Sequence, residues 1–266
     1  MKIRVLAWIT FRSLPHSKII ILFTAAFVCI VLLMMTPLMA YKSMAGTQPA
    51  VAQGMVLALV SVVTSMVSGF GSLLAVWAAA DAVGSEMKNG TIMAVMARPI
   101  RRWEFLLGKW LGAQMLMAIY VIFMFGLSNM LVSIGGEHLV THPWLLLVYP
   151  MVRYSLYGAI ALCLATMLHP VVAFIIVLFV GAIANLVAPS SLGLLFLPQL
   201  VRRGLYFVLP SVKLLAESNF LAVNSAKLKP TPWTDHVTAL VYGIDYALVF
   251  LMLAVWAFRR RSLARA

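Results

Sequence analysis

The chain has 266 residues, 64% of them hydrophobic and only 10% charged, with a mean hydropathy of +1.03. A soluble domain of this size could not carry so apolar a surface, so the composition places the chain in a membrane. The net charge of +13 clusters at the ends of apolar stretches and forms no single stripe, which argues against nucleic acid as a partner and for contact with anionic lipid.

Residues 1–17 interleave Ile3, Val5, Leu6, Ile9 and Leu14 with Lys2, Arg4, Trp8 and Arg12. The pattern predicts a short helix lying in the membrane interface, which Pro15 breaks from the first span. A frayed terminus is the alternative. Six stretches then have the roughly 20 residues needed to cross a bilayer: 19–40, 55–82, 105–134, 144–167, 171–188 and 237–258. They are continuously apolar instead of alternating, so they predict helices and not barrel strands. The expected fold class is an all-α integral membrane protein, one six-span domain covering 1–266. The stretch 19–40 is long for a signal peptide and is read as a retained span. Cys29 and Cys163 lie inside apolar stretches and are read as packing residues.

The connections differ in character. Residues 83–104 form a polar island. A tight turn is expected around Leu168, His169 and Pro170. The loop 189–236 carries two apolar pieces, 192–198 and 204–210, too short to span, so they are expected to be interfacial or re-entrant. Placing the N-terminus inside puts thirteen of the twenty basic residues in the cytoplasm. Six spans and two cytoplasmic termini are then mutually consistent.

The island is the most informative stretch. It runs Ser85-Glu86-Met87-Lys88-Asn89-Gly90-Thr91, then Arg98-Pro99-Ile100-Arg101-Arg102, then Leu107-Gly108-Lys109. Asn89-Gly90 is a helix stop, Thr91 can cap a new short helix over 92–97, and Pro99 ends it. Such a helix offers Ile92, Met93, Val95 and Met96 to a groove and charges to its rim. A solvated loop whose arginines anchor headgroups is the equal alternative on spacing alone.

Glu86-x-x-x-Gly90-Thr91, followed by Arg98-Pro99-x-Arg101 and Gly108-Lys109, resembles the permease subunits of type-2 ABC exporters. The likeness extends to the amphipathic N-terminus, the six spans and the Arg259-Arg260-Arg261 tail. The resemblance implies that the island is a coupling helix docking on a separate ABC ATPase. It implies that Glu86, Gly90, Thr91, Arg98, Pro99 and Arg101 shape or contact that joint. Asn89 and Arg102 are local guesses outside it. The chain has no G-x-x-x-x-G-K-[ST] loop to cradle phosphates, so no cofactor is expected here, and ATP with Mg is expected in the partner. A second six-span half, identical or a sibling, is also implied. The expected location is the bacterial inner membrane, and the chain itself is expected to do no bond chemistry.

Within the spans, Arg153 and Asp245 lie at matching depth from the outer face and carry opposite charge. A lone charge at that depth costs at least a few kcal/mol, so an Arg153–Asp245 pair is expected. It could line an outer polar cavity with Tyr149, Tyr154, Tyr242 and Tyr246, or serve only as a clasp. Ser61, Ser65, Ser68 and Ser72, with Gly69 and Gly71, form a small-residue stripe suited to close helix packing or to lining a path. Gly108-x-x-x-Gly112 is a weaker example. His138, His142 and His236 make a poor metal set.

Three rivals stand beside the exporter reading. A subunit could pass ATP-driven motion to an outer partner without moving solute. An ion-coupled carrier could act alone through Asp245 and Arg153. An intramembrane enzyme would need a nucleophile and base at one depth, and Ser128 with the loop histidines does not supply them.

Overall fold

The computed structural model describes residues 2–14, 17–18, 20–22, 24–25, 28–29, 49–88, 101–134, 144–187, 210, 215 and 233–260. Among these every regular element is a helix: α1 (Lys2–Ser13), α2 (Pro49–Lys88), α3 (Arg102–Ile134), α4 (Leu145–Ala165), α5 (Pro170–Val187) and α6 (Trp233–Arg260). Among the described residues, four stretches are long and apolar enough to cross a membrane: Ser65–Glu86, Arg102–Met124, Leu147–Ala165 and Trp233–Arg260. Pro170–Ala184 is a shorter apolar helix. Most of the expected first span, 19–40, and most of the loop 189–236 lie outside the described residues.

α4 is the central helix. It packs on α2, α3, α5 and α6, and its residues from Leu156 to Leu162 are all buried. In lipid, close helix approach needs small residues, because apolar side chains gain nothing by leaving lipid for protein. The sequence supplies them at each crossing. α6 turns a stripe of Ala239, Gly243, Ala247, Ala254 and Ala257 inward. A Cβ on Gly71 of α2 would overlap the Tyr154 hydroxyl of α4. A Cβ on Gly84 would overlap the ring of Pro170, the first residue of α5. The link 166–169 is short, and Thr166 closes α4 through its N–H to Leu162 O at 3.1 Å.

α1 lies against α3. A Cβ on Gly108 would meet Leu6 Cβ at 2.6 Å, and one on Gly112 would meet Thr10 Cβ at 2.6 Å. Thr10 is buried in that contact and returns its hydroxyl proton to Leu6 O at 2.9 Å. The opposite face of α1 exposes Arg4, Val5, Trp8, Ile9 and Arg12, a mixture of basic and apolar groups suited to the headgroup boundary.

α2, at 40 residues, is about 60 Å long, roughly twice the apolar thickness of a bilayer. Exposed tryptophans mark the two ends of the bundle. Trp144 and Trp233 meet edge to face at 5.5 Å at one end. At the other, Trp256 lies under the Arg260 guanidinium, 4.0 Å from its carbon to the ring centroid. Along α6, Trp233 and Trp256 are about 34 Å apart at the helical rise, close to the spacing of aromatic belts in a bilayer.

Candidate functional site

One end of the bundle gathers α1, the end of α2, the start of α3 and the end of α6. This basic end carries Arg4, Arg12, Arg101, Arg102, Arg259 and Arg260. It also holds the two edges of the polar island, Glu86 on α2 and Arg101–Arg102 leading into α3. Gly90, Thr91, Arg98 and Pro99 lie between these edges, outside the described residues.

The joint is built around Lys109. A lysine in a membrane helix needs an anion or water, because its ammonium loses hydration there. Lys109 is 4% exposed and forms an ion pair with Glu86 of α2. Its ammonium also lies 5.7 Å from the Phe105 ring centroid. Asp81, about one and a half turns before Glu86, faces the same ammonium and the Ser17 hydroxyl. Ser85 returns its hydroxyl proton to Asp81 O at 2.7 Å. So α2 and α3 are joined through charge, with the segment after α1 drawn in by Ser17.

α3 begins with a local cap. The Arg101 N–H donates to Glu104 Oε2 at 2.9 Å, which satisfies a free amide and places negative charge at the positive end of the helix dipole. The Arg101 side chain itself is exposed. Arg102 turns the other way. Its Nη1 donates to Phe258 O at 3.0 Å and to Arg259 O at 2.9 Å. These belong to the last turn of α6, where carbonyls have no partner within the helix. The guanidinium also lies 5.9 Å from the Phe258 ring centroid, and Phe258 stacks on Phe105 at 5.9 Å. Arg102, at the far edge of the island, thus clamps the C-terminal end of the last helix.

Of the six island residues singled out from the sequence, two are described. Glu86 turns inward to Lys109, and Arg101 faces outward. Three further residues have a clear part in the joint. Sequence reasoning names Lys109 only as a motif letter, holds Arg102 to a local guess and gives Asp81 no role.

The Arg153–Asp245 pair is not formed within the chain. Arg153 Nη1 donates to Ser68 Oγ of α2, and its guanidinium lies over the Tyr157 ring. No ion pair joins it to a described carboxylate. Asp245 is exposed. It follows Gly243 on α6 by two residues, about 200° around the helix, and so lies opposite the packed stripe. The four tyrosines are also dispersed. Tyr149 meets His236 Nδ1 at 3.2 Å, Tyr154 packs on Gly71, and Tyr242 and Tyr246 contact each other at 4.6 Å on α6. Of the metal candidates, His236 is engaged by Tyr149, while His138 and His142 lie outside the described residues. In the serine stripe, Ser68 is buried, Ser72 half-buried and Ser65 exposed; the Ser61 side chain is outside the described residues.

No curated protein matches the chain. The family model described as ABC-2 family transporter protein matches residues 4–263, from α1 past the end of α6. With that match over nearly its whole length, the chain belongs to the ABC-2 family of transporter membrane proteins.

Proposed function

We propose that this chain is the membrane-spanning permease subunit of an ATP-driven exporter, with six spans and both termini in the cytoplasm of a bacterial cell. A separate ABC ATPase, holding ATP and Mg, docks on the island 83–104, and a second six-span half completes the path. The observation that carries the reading is the joint itself. Both edges of the island are tied into the bundle by charge, through Glu86–Lys109 on one side and Arg102 with the end of α6 on the other.

The chemistry of such a joint is mechanical. A push on the island moves Glu86 and Arg102. Glu86 cannot leave Lys109 without breaking a half-buried ion pair, at a cost of up to several kcal/mol. Arg102 cannot move without dragging the last turn of α6. Closure of two ATP-bound subunits would therefore reach α2, α3 and α6 together, and Arg101, whose side chain is exposed, would meet the ATPase.

Affinity purification from native membranes in mild detergent, with mass spectrometry, tests the reading. Wild type should bring down a P-loop ATPase, and the Arg98→Glu/Arg101→Glu variant should lose it. A chain that arrives without any ATPase in both forms would favour a self-sufficient carrier instead.

A further inference from the structure

The interior of the bundle holds a cation without a described anion. Arg153 lies eight residues after Leu145, the first of α4, about 12 Å along the helix by its rise. That is within the hydrocarbon half-thickness of roughly 15 Å. Its Nη1 donates to the hydroxyl of Ser68, which is itself 5% exposed. The Tyr157 ring centroid lies 5.9 Å from the guanidinium carbon. The Nε is buried and has no hydrogen-bond partner among the described residues.

A hydroxyl and a ring face do not neutralise a guanidinium. They orient it. Ser68 fixes one nitrogen of the fork, and the Tyr157 ring and hydroxyl hold its plane, which leaves the Nε–H uncommitted among the described residues. A guanidinium presents parallel N–H pairs that match two oxygens of a carboxylate or phosphate, and this match is strongest away from water. An arginine that is held in position, lies deep in the bundle and meets no carboxylate among the described residues is arranged for an anion supplied from outside.

We propose that Arg153 and Ser68 form a binding site for an oxyanion, a phosphate or carboxylate group, presented either by a lipid headgroup or by a soluble ion. The site is separate from the ATPase joint. It does not depend on the exporter reading, because binding needs no ATP.

The test uses the full chain in phosphatidylcholine nanodiscs. In one arm the discs carry a small fraction of phosphatidic acid, and the lipid retained per chain is measured by native mass spectrometry. In the other arm inorganic phosphate is titrated by calorimetry. Binding in the first arm alone identifies a headgroup, and binding in the second identifies a soluble ion. In either case Arg153→Gln should weaken it by about tenfold or more, and Arg153→Lys should retain part of it. If Arg153→Gln does not assemble, Ser68→Ala gives the second reading, with a loss of about threefold expected. Unchanged binding in the variant that assembles overturns the proposal, as does a wild type that binds neither probe. Binding that emerges only in Asp245→Asn also overturns it, because the counterion would then belong to the protein.

Discussion

Lys109 shows what a single charge can organise when it sits below the membrane boundary. The side chain of its partner Glu86 is 22% exposed against 5% for the Lys109 side chain, so the pair is only partly screened by water. Removing one member should cost up to about 3–5 kcal/mol, because the other loses its ion-pair partner, and less at Glu86, since Asp81 still faces the Lys109 ammonium. Removing both should cost less than the sum. We predict that Glu86→Gln and Lys109→Met each lower the thermal stability of the purified protein sharply, and that the double variant recovers a large part. Equal and additive losses would mean the pair carries no coupling. Arg102 makes a smaller claim. Its two bonds to the α6 terminus resemble a helix cap, worth about 1–2 kcal/mol. Arg102→Ala should therefore lower stability modestly while fraying the end of α6, read as faster amide exchange at 257–260 and unchanged exchange at 239–247.

These residues are only half legible in the sequence. Charge depth is the guide there, and depth misleads in both directions. Glu86 falls four residues beyond the expected end of its span and Lys109 four residues inside the next, so they do not look level. They meet because α2 continues unbroken to Lys88 while α3 starts at Arg102. Arg153 and Asp245 do look level, but depth says nothing about azimuth. The inward stripe of α6 is written in its small residues, and Asp245 lies off that stripe.

At the scale of elements, glycines decide which helices touch. Gly108 and Gly112 carry α1, because the Leu6 and Thr10 side chains occupy the space a Cβ would fill. A larger residue at Gly112 should lift α1 from α3 without breaking α3 itself. The expected result is that Thr10→Cys, in a background lacking Cys29 and Cys163, resists maleimide in the parent and reacts readily when Gly112→Leu is added. Equal reactivity in both would show that α1 is not docked. Gly71 and Gly84 belong to the same class, and an alanine at either overpacks a crossing at a cost of about 1–3 kcal/mol. The sequence shows these positions as small-residue motifs. It does not show which helix each one meets, since that depends on rotation about the helix axis.

At the scale of the whole molecule, the apolar periods, the basic ends and the aromatic residues agree on a membrane bundle, and they are visible from composition onward. The structure adds that α1, the island edges and the end of α6 share one end. If that end faces the cytoplasm, a green fluorescent protein fused after Ala266 should fluoresce. A cysteine at His138 should then react with an impermeant maleimide from outside. The reverse pattern would invert the topology and remove the island from reach of any cytoplasmic ATPase.

The central claim is that the island meets that ATPase. The most direct measurement places a photoreactive amino acid at Met93, between the two anchored edges in sequence, and a control at His138, between α3 and α4 in sequence. After illumination of native membranes, Met93 should crosslink to a P-loop ATPase, identified by its peptides, and His138 should not. A Met93 probe that captures only lipid or this chain itself, while the ATPase remains in the membranes, would contradict the claim.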